Sequence, residues 1–331
     1  MQSSTVSTPR RPPVAVASAV REHTVFGLDV RSCLSLPALE RSRARKTGRT
    51  LELSAISEGR SWNDWPPRAR TICLQRHPGG AVCFRIEADA SAGHRIWGEG
   101  RGSYLLSQDS CGLRCAVDGV ACDGWERFFV GQVLPYAALL SGLEIFHASA
   151  VDLDGRAVAF VGPSGAGKTS LALALCRLGA GFVADDVLAL EPCGRALMAH
   201  PGTPLAGVER EEALRLERAG ARLPSEALSA DARERLVHMP GAEAPKPLSA
   251  LFFLDRRHDD GGALRFESAT DPRLLLGSTF NFVLDTPGRL RGLLDVCALA
   301  AGCRVERIVI PASVDASALA GALLARLRGN A

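Results

Sequence analysis

At 331 residues the chain is long enough for two domains, and its 47% hydrophobic and 23% charged residues are too apolar a mixture for a disordered one. The 39 basic and 36 acidic residues leave a net charge of only +3, and aromatics stand at 5%. That balance removes the electrostatic and base-stacking grounds for a nucleic-acid partner, and the electrostatic ground for a membrane surface.

Residues 1–20, rich in Ser, Thr, Pro and Arg, read as a flexible tail. Arg10-Arg11 followed by Val14-Ala15-Val16-Ala17-Ser18-Ala19 imitates a signal peptide, but its apolar stretch is far shorter than the ~7–15 residues of an h-region. No window approaches the ~18 apolar residues of a membrane span. The ten cysteines are spread from Cys33 to Cys303 in a chain too large to need staples, so reduced, mostly buried thiols are expected. Together these features predict a soluble, cytoplasmic protein with no membrane partner.

Residues 21–124 alternate short β-type runs with turn signals. The runs are Val25–Val30, Thr71–Leu74, Ala81–Ile86 and Ser103–Leu106, and the turns are Pro78-Gly79-Gly80 and Gly98-Glu99-Gly100. The pattern predicts a β-rich N-terminal domain without a chemical motif. Residues 125–331 change character. Trp125–Leu143 has helical spacing, and Ala157–Val161 is a continuous apolar run, the mark of a strand covered on both faces. Ser170–Leu178 reads as a helix stopped by Gly179, and Gly181–Ala184 as the adjacent strand. Further strands are expected at Leu251–Leu254 and Arg307–Ile310, and helices at Leu290–Ala301 and Ala316–Arg328, the second capped by Asp315. Strands alternating with helices make this an α/β domain with a nucleotide-type sheet.

The decisive motif is Gly162-Pro163-Ser164-Gly165-Ala166-Gly167-Lys168-Thr169, which satisfies G-x4-G-K-[ST] between a buried strand and the helix opened by Ser170. Glycines there let backbone N–H groups turn toward phosphate oxygens, and the following helix adds its positive end. Lys168 is one of only three lysines, with Lys46 and Lys246. It would reach the β- and γ-phosphates of a nucleoside triphosphate, while Thr169 would offer its hydroxyl to Mg²⁺. Asp185-Asp186 ends the next strand, at the edge where α/β sheets place ligand groups. One carboxylate can hold Mg²⁺, and a second could accept the proton of an attacking hydroxyl. His147 lies upstream at the end of Leu143–Phe146, where a buried core histidine is the simpler reading on spacing alone.

Phe146-His147-Ala148-Ser149-Ala150-Val151, Gly155, Val161–Thr169 and Gly181–Val187 together resemble the catalytic domain of bacterial HPr kinase/phosphorylase. The likeness covers about residues 143–190. It implies an α/β P-loop kinase domain akin to phosphoenolpyruvate carboxykinase, using ATP and Mg²⁺ to phosphorylate a serine or threonine hydroxyl on a peptide or small protein. It also implies that Asp185 is the base, that His147 sets the carboxylate's ionisation, that Lys168 acts on the phosphates, and that Thr169 and Asp186 hold the metal. The chain is more similar still to HPr-kinase-related proteins found with biosynthetic peptides, including the lasso-peptide tailoring kinases. A homo-oligomer stays open, since HPr kinases form hexamers. Position 170 is Ser where those kinases carry an acid, so a non-catalytic or hydrolytic ATP-binding module remains an alternative, as does a small-molecule hydroxyl kinase.

Three weaker features complete the sequence. His200–Pro204 could line a substrate cleft or be an ordinary Pro/Gly connection. Glu209–Arg218 alternates charge as a solvated helix face does. Arg256, Arg257, Arg289 and Arg291 are candidates for a phosphate-facing arginine, none of them singled out by its context.

Overall fold

In the computed structural model the described residues are 16–57, 59, 63, 65–117, 122–211, 214, 227–230, 234–257, 262–269, 271–280 and 287–329. The chain divides into two compact units, one of Met1–Glu22, Arg31–Leu36 and Leu51–Val133, the other of His23–Val30, Pro37–Thr50 and Leu134–Ala331. Of the expected tail, residues 1–15 lie outside the described residues and 16–20 begin the first strand. Among the described residues no helix is long and apolar enough to cross a membrane. Nine of the cysteines are free thiols, of which only Cys115 and Cys297 are buried and Cys111 and Cys193 are exposed, so the expectation of mostly buried thiols does not hold.

An eight-stranded sheet is formed by β1 (Val16–Val25), β2 (Leu28–Leu34), β3 (Thr50–Ala55), β4 (Arg70–Arg76), β5 (Val82–Asp89), β6 (Gly93–Gly98), β7 (Gly102–Leu106) and β8 (Gly112–Ala116), of which β4 to β8 lie wholly in the first unit. The order is β1-β2-β3-β8-β7-β6-β5-β4. Strands β4 to β8 form a meander of antiparallel pairs, and β3 closes on β8 in parallel, Leu53 opposite Leu113. The run read as one strand over Val25–Val30 is a hairpin broken at Phe26-Gly27, where φ is +52° and +75°, the two positive values that a two-residue turn between twisted strands requires. Helix α1 (Cys122–Phe128) adds aromatic packing, with the Phe128 ring centroid 5.8 Å from both Phe84 and Tyr104.

The helix expected over Trp125–Leu143 is interrupted. After α1 comes a wide π-type turn at Phe129–Val133, then α2 (Leu134–Leu140). Pro135 accounts for the interruption, because it has no N–H to return to the carbonyl four residues earlier.

The second unit carries β9 (Glu144–Phe146), β10 (Ala148–Leu153), β11 (Arg156–Val161), α3 (Lys168–Arg177), β12 (Gly181–Ala184), β13 (Leu188–Cys193) and β14 (Ala196–His200). A separate three-stranded sheet follows, β15 (Leu205–Glu209), β16 (Ala227–Ala230) and β17 (Glu234–His238), in the order β15-β17-β16. Then come β18 (Lys246–Arg256), β19 (Arg265–Ser268), α4 (Pro272–Leu276), α5 (Pro287–Ala301), β20 (Arg304–Ile310) and α6 (Ala316–Arg328). The Asp315 carboxylate caps α6 by accepting from Ala318 N at 2.8 Å.

The nine-stranded main sheet is mixed rather than parallel. Its path is β12-β10-β11-β18-β14-β13-β9, with β20 also on β18 and β19 on β20. Strands β11, β18 and β20 are parallel, whereas β10 is antiparallel to both β11 and β12. Strand β12 is therefore not adjacent to β11, as expected from sequence, but is one strand removed from it and runs in the same direction. The carboxyl ends of both reach the same sheet edge.

Both faces of β11 are covered, as its apolar run requires. Ala157, Ala159 and Val161 pack with Leu251 and Phe253 toward Leu293, Val296 and Ala300 of α5. Val158 and Phe160 pack with Phe252 toward Leu171 and Leu175 of α3 and Leu319 and Leu323 of α6. This sandwich fixes the loop after β11 and the edge beside it.

Candidate functional site

The loop Gly162–Gly167 links β11 to α3. Gly162 passes so close to β18 that a Cβ there would stand 2.8 Å from the Leu254 carbonyl oxygen. Gly167 precedes the helix at φ +93°, a left-handed conformation that disfavours a side chain. Pro163, Ser164 and Gly165 form the exposed tip, while Ala166 is buried and Ser170 half-buried in the first turn of α3.

Lys168 is only 7% exposed, and its Nζ donates to the carbonyl oxygens of Gly162 at 3.0 Å and Pro163 at 3.3 Å. Burial pushes the ammonium pKa down, against the opposing fields of Asp186 and Asp185. A buried cation curled inside a glycine-rich turn is the electrostatic complement of an anion.

The two carboxylates at the end of β12 occupy unlike settings. Asp185 is 7% exposed and accepts three hydrogen bonds, from Ser149 Oγ at 2.5 Å, Thr169 Oγ1 at 2.8 Å and Gly207 N at 2.9 Å. Burial pushes its pKa up, against the three donors, and Asp186 pushes in the same direction as burial. Asp186 instead has a side chain 71% exposed, with Oδ1 3.3 Å from His147 Nδ1. Its φ of +67° places it at the centre of a tight turn closed by Val187 N on the Asp185 carbonyl at 2.8 Å. Such a turn is rare and strained for a non-glycine residue, and it swings Asp186 away from its neighbour.

The contacts run opposite to the pairing implied by the resemblance, in which His147 served Asp185 and the metal-binding Thr169 went with Asp186. His147 stands on Asp186, and Thr169 on Asp185. His147 is no buried core histidine, since its side chain is 44% exposed, and its backbone N donates to Ser278 O at 2.7 Å.

Two neighbouring cavities open on the loop. One of about 340 Å³ is lined by His147, Gly162, Pro163, Arg273, Leu274 and Ser278, among others. The other, of about 470 Å³, shares Gly162, Pro163 and Leu274 and extends to Asp255, Glu267 and Arg307. Of the four candidate arginines, Arg256 reaches the loop, donating from Nε to Ala166 O at 3.5 Å and from Nη1 to Val314 O at 3.0 Å. Arg257 pairs with Asp255 at 2.8 Å and Arg289 with Glu144 at 2.9 Å. Sequence spacing could not separate Arg256 from Arg257, because adjacency along a strand end does not say which side chain turns to the loop.

His200, 3% exposed, belongs to a structural network and not to the mouth of the loop. Its Nε2 lies 2.7 Å from Glu191 Oε2, and Arg49 pairs with the same carboxylate. Nδ1 is buried with no hydrogen-bond partner among the described residues. Burial pushes the His200 pKa down in spite of Glu191. For Glu191, burial pushes up, but Arg49 and His200 outweigh it and the net shift is down. The sign follows. Above the unfolded histidine value of ~6.5 neither state binds the proton, whereas below it the unfolded chain binds a proton that the folded His200 resists. Stability present above pH ~6.5 is therefore lost as pH falls, and the Glu191 loss follows in more acid solution. The thermal midpoint should decline between pH 8 and 5.5, with a shallower decline in His200→Gln. Equal slopes for the two proteins would reject a neutral, buried His200. Most of Glu209–Arg218 lies outside the described residues.

No family model matches the chain, and no curated protein matches it in sequence. Among solved structures, the Hpr(Ser) kinase/phosphatase from Coxiella burnetii is similar over 56% of this chain and 95% of its own, at 14% identity and a TM-score of 0.29. The motif and the site geometry, not that likeness, carry the functional reading.

Proposed function

We propose that the chain is an ATP- and Mg²⁺-dependent phosphotransferase that moves the γ-phosphoryl group to a serine or threonine hydroxyl of a peptide or small protein. One observation carries this reading: two adjacent carboxylates stand beside a complete G-x4-G-K-T loop, one buried on Thr169 and the other exposed on His147. A module that only binds nucleotide needs the first and has no use for the second.

The donor set fits the cofactor. Lys168 is a buried cation in the loop that would hold the β- and γ-phosphates, and Thr169 and Asp185 are hard oxygen donors suited to Mg²⁺. Among the described residues no cluster of three or more His, Cys, Asp or Glu forms a ready-made metal cage. Mg²⁺ is commonly held by one or two carboxylates together with substrate phosphates, a part Asp185 could fill. The bound ion would neutralise charge on the phosphate oxygens. Ser149 Oγ and Gly207 N, both donating to it, would orient Asp185.

In the transfer step the acceptor hydroxyl oxygen forms a bond to the γ-phosphorus as the bond from that phosphorus to the β,γ-bridging oxygen breaks, and ADP leaves. The hydroxyl proton goes to the Asp186 carboxylate, which His147 orients. This exchanges the roles implied by the resemblance, and the reason is exposure: the base must meet the acceptor, and Asp186 is the carboxylate that faces outward. The cavity beside His147 supplies room for the residue bearing the hydroxyl. The likeness to HPr-kinase-related proteins found with biosynthetic peptides favours a short precursor peptide, of the lasso type, as acceptor.

The test is transfer of label from γ-labelled ATP to an array of Ser- and Thr-containing peptides, with Mg²⁺ and with excess chelator. Label on hydroxyl side chains, lost at least about 10²-fold on chelation, is the expected result. Hydrolysis of ATP with no labelled peptide would assign the chain to the hydrolytic, sensor-like class.

A further inference from the structure

Strand β18 alternates its side chains between two covered faces. Ala250, Phe252 and Leu254 pack on the side of α3 and α6, together with Ile308 and Ile310 of β20. Arg256 is next in that series and stands opposite Ile310 in register. Its half-buried side chain therefore leaves the sheet on the α3 and α6 side, where the glycine-rich loop turns into its helix. Arg257 has the opposite parity and pairs with Asp255.

The Arg256 guanidinium meets backbone carbonyls of two separate connections. Nε donates to Ala166 O at 3.5 Å, a long bond, and Nη1 donates to Val314 O at 3.0 Å, in the link between β20 and α6. Nη2 stands 3.5 Å, and Nε 3.8 Å, from the place that a Cβ on Gly167 would take. The Nε–Nη2 edge of the fork thus faces the Ala166-Gly167 peptide. Among the described residues no carboxylate neutralises this charge.

That peptide is trans, so its carbonyl and its N–H point in opposite directions. A carbonyl held toward Arg256 sends the Gly167 N–H the other way, and among the described residues that N–H makes no hydrogen bond. Gly167, lacking a side chain, leaves the peptide plane free to rotate unless something outside the loop fixes it. Arg256 is placed to do so.

We infer that Arg256 is a positioning residue for the anion site of the loop. It pins the Ala166 carbonyl outward, aims the Gly167 N–H at the polyphosphate, and ties the loop to the β20–α6 connection. It acts through the backbone and does not touch the nucleotide. The two ends of the peptide assist each other: an anion drawing on the Gly167 N–H polarises the peptide and makes the Ala166 oxygen a better acceptor, so binding shortens the long bond to Nε. The inference rests on the nucleotide-binding part of the function proposed above and is independent of the acceptor.

The experiment is titration calorimetry of the full chain with ADP, ATP and inorganic tripolyphosphate, each with Mg²⁺, well below the thermal midpoint of every variant. Arg256→Gln is expected to weaken all three by the same factor, about tenfold or more, the usual contribution of a hydrogen bond to an ionised group. Arg257→Gln is expected to bind all three as wild type does. Ethylguanidinium should restore affinity to Arg256→Gly, and ethylammonium at the same concentration should not, because only the planar fork reaches two carbonyls at once. A residue that merely holds α6 on the sheet would lower the thermal midpoint and leave the affinities unchanged, and that result overturns the inference. A loss for ADP and ATP with none for tripolyphosphate also overturns it and places Arg256 at the nucleoside. Intact affinities with transfer lost would make Arg256 a group that touches the transferred phosphoryl, which overturns it as well. A wild type that binds none of the three ligands rejects the nucleotide reading and the inference with it. A wild type that binds them, responds to Arg256→Gln and phosphorylates no hydroxyl peptide rejects the phosphotransferase and leaves the brace standing.

Discussion

Lys168→Ala is expected to lower single-turnover phosphoryl transfer by at least about 10²–10³-fold, the usual loss when one preorganised stabiliser of transition-state charge is removed. The side chain is buried inside the loop that would surround the phosphates, with its ammonium held by two loop carbonyls. No other lysine can replace it. Lys46 is exposed, and Lys246 opens β18 at the end opposite to Leu254–Arg256, where the loop lies, and is paired with Asp152. Lys168→Arg should also lose most activity, because a planar guanidinium fork is too large for the curl that a single ammonium occupies. The variant leaves the carbonyls of Gly162 and Pro163 without that donor, so the thermal midpoint is measured beside transfer and nucleotide binding. Transfer within tenfold of wild type, in a protein that still melts normally, would show that the loop does not serve the reaction.

The loop and its flanking elements were legible because each signal is local. An apolar run covered on both faces, a G-x4-G-K-T loop and a helix stopped by Gly179 lie within 25 residues, and β11, the loop and α3 follow in that order. The sheet was not legible, because its order depends on long-range partners. Strand β10 reaches β11 through a tight turn at Asp154-Gly155, with φ +53° and +83°, and separates β11 from β12. Nothing in the residues of β12 says that its neighbour is β10. The parallel closure of β3 on β8 in the first unit is hidden for the same reason. At the site, sequence supplied the residues but not their pairing. Asp185 and Asp186 are chemically identical neighbours at a strand end, and what separates them is the positive φ of Asp186, a backbone property with no side-chain signature. Ser149 went unassigned because a lone serine on a strand carries no signal until Asp185 is brought to it.

That pairing sets up the sharpest test of the site. Asp186→Asn keeps the size of the side chain and part of its hydrogen bonding but removes the proposed proton acceptor. Nucleotide affinity should stay within a few-fold of wild type, while transfer falls by ~10²–10⁴, the usual worth of a positioned general base. His147→Ala should cost less, since its proposed part is to orient the carboxylate and not to take the acceptor's proton itself. Asp185→Asn should behave differently. It removes the buried negative charge on which Ser149 Oγ, Thr169 Oγ1 and Gly207 N converge, so those charge-assisted bonds weaken or must turn around. Mg²⁺-dependent nucleotide binding should fall together with transfer, and the thermal midpoint with both. The measurements are single-turnover transfer from labelled ATP and a nucleotide titration with and without Mg²⁺ for each variant. Because phosphoryl transfer is largely dissociative, the base is asked for less than in acyl transfer, so the lower end of the range is expected. If Asp185→Asn retains nucleotide binding and loses transfer while Asp186→Asn does the reverse, the base is the buried carboxylate, and the exchange of roles argued from exposure is wrong.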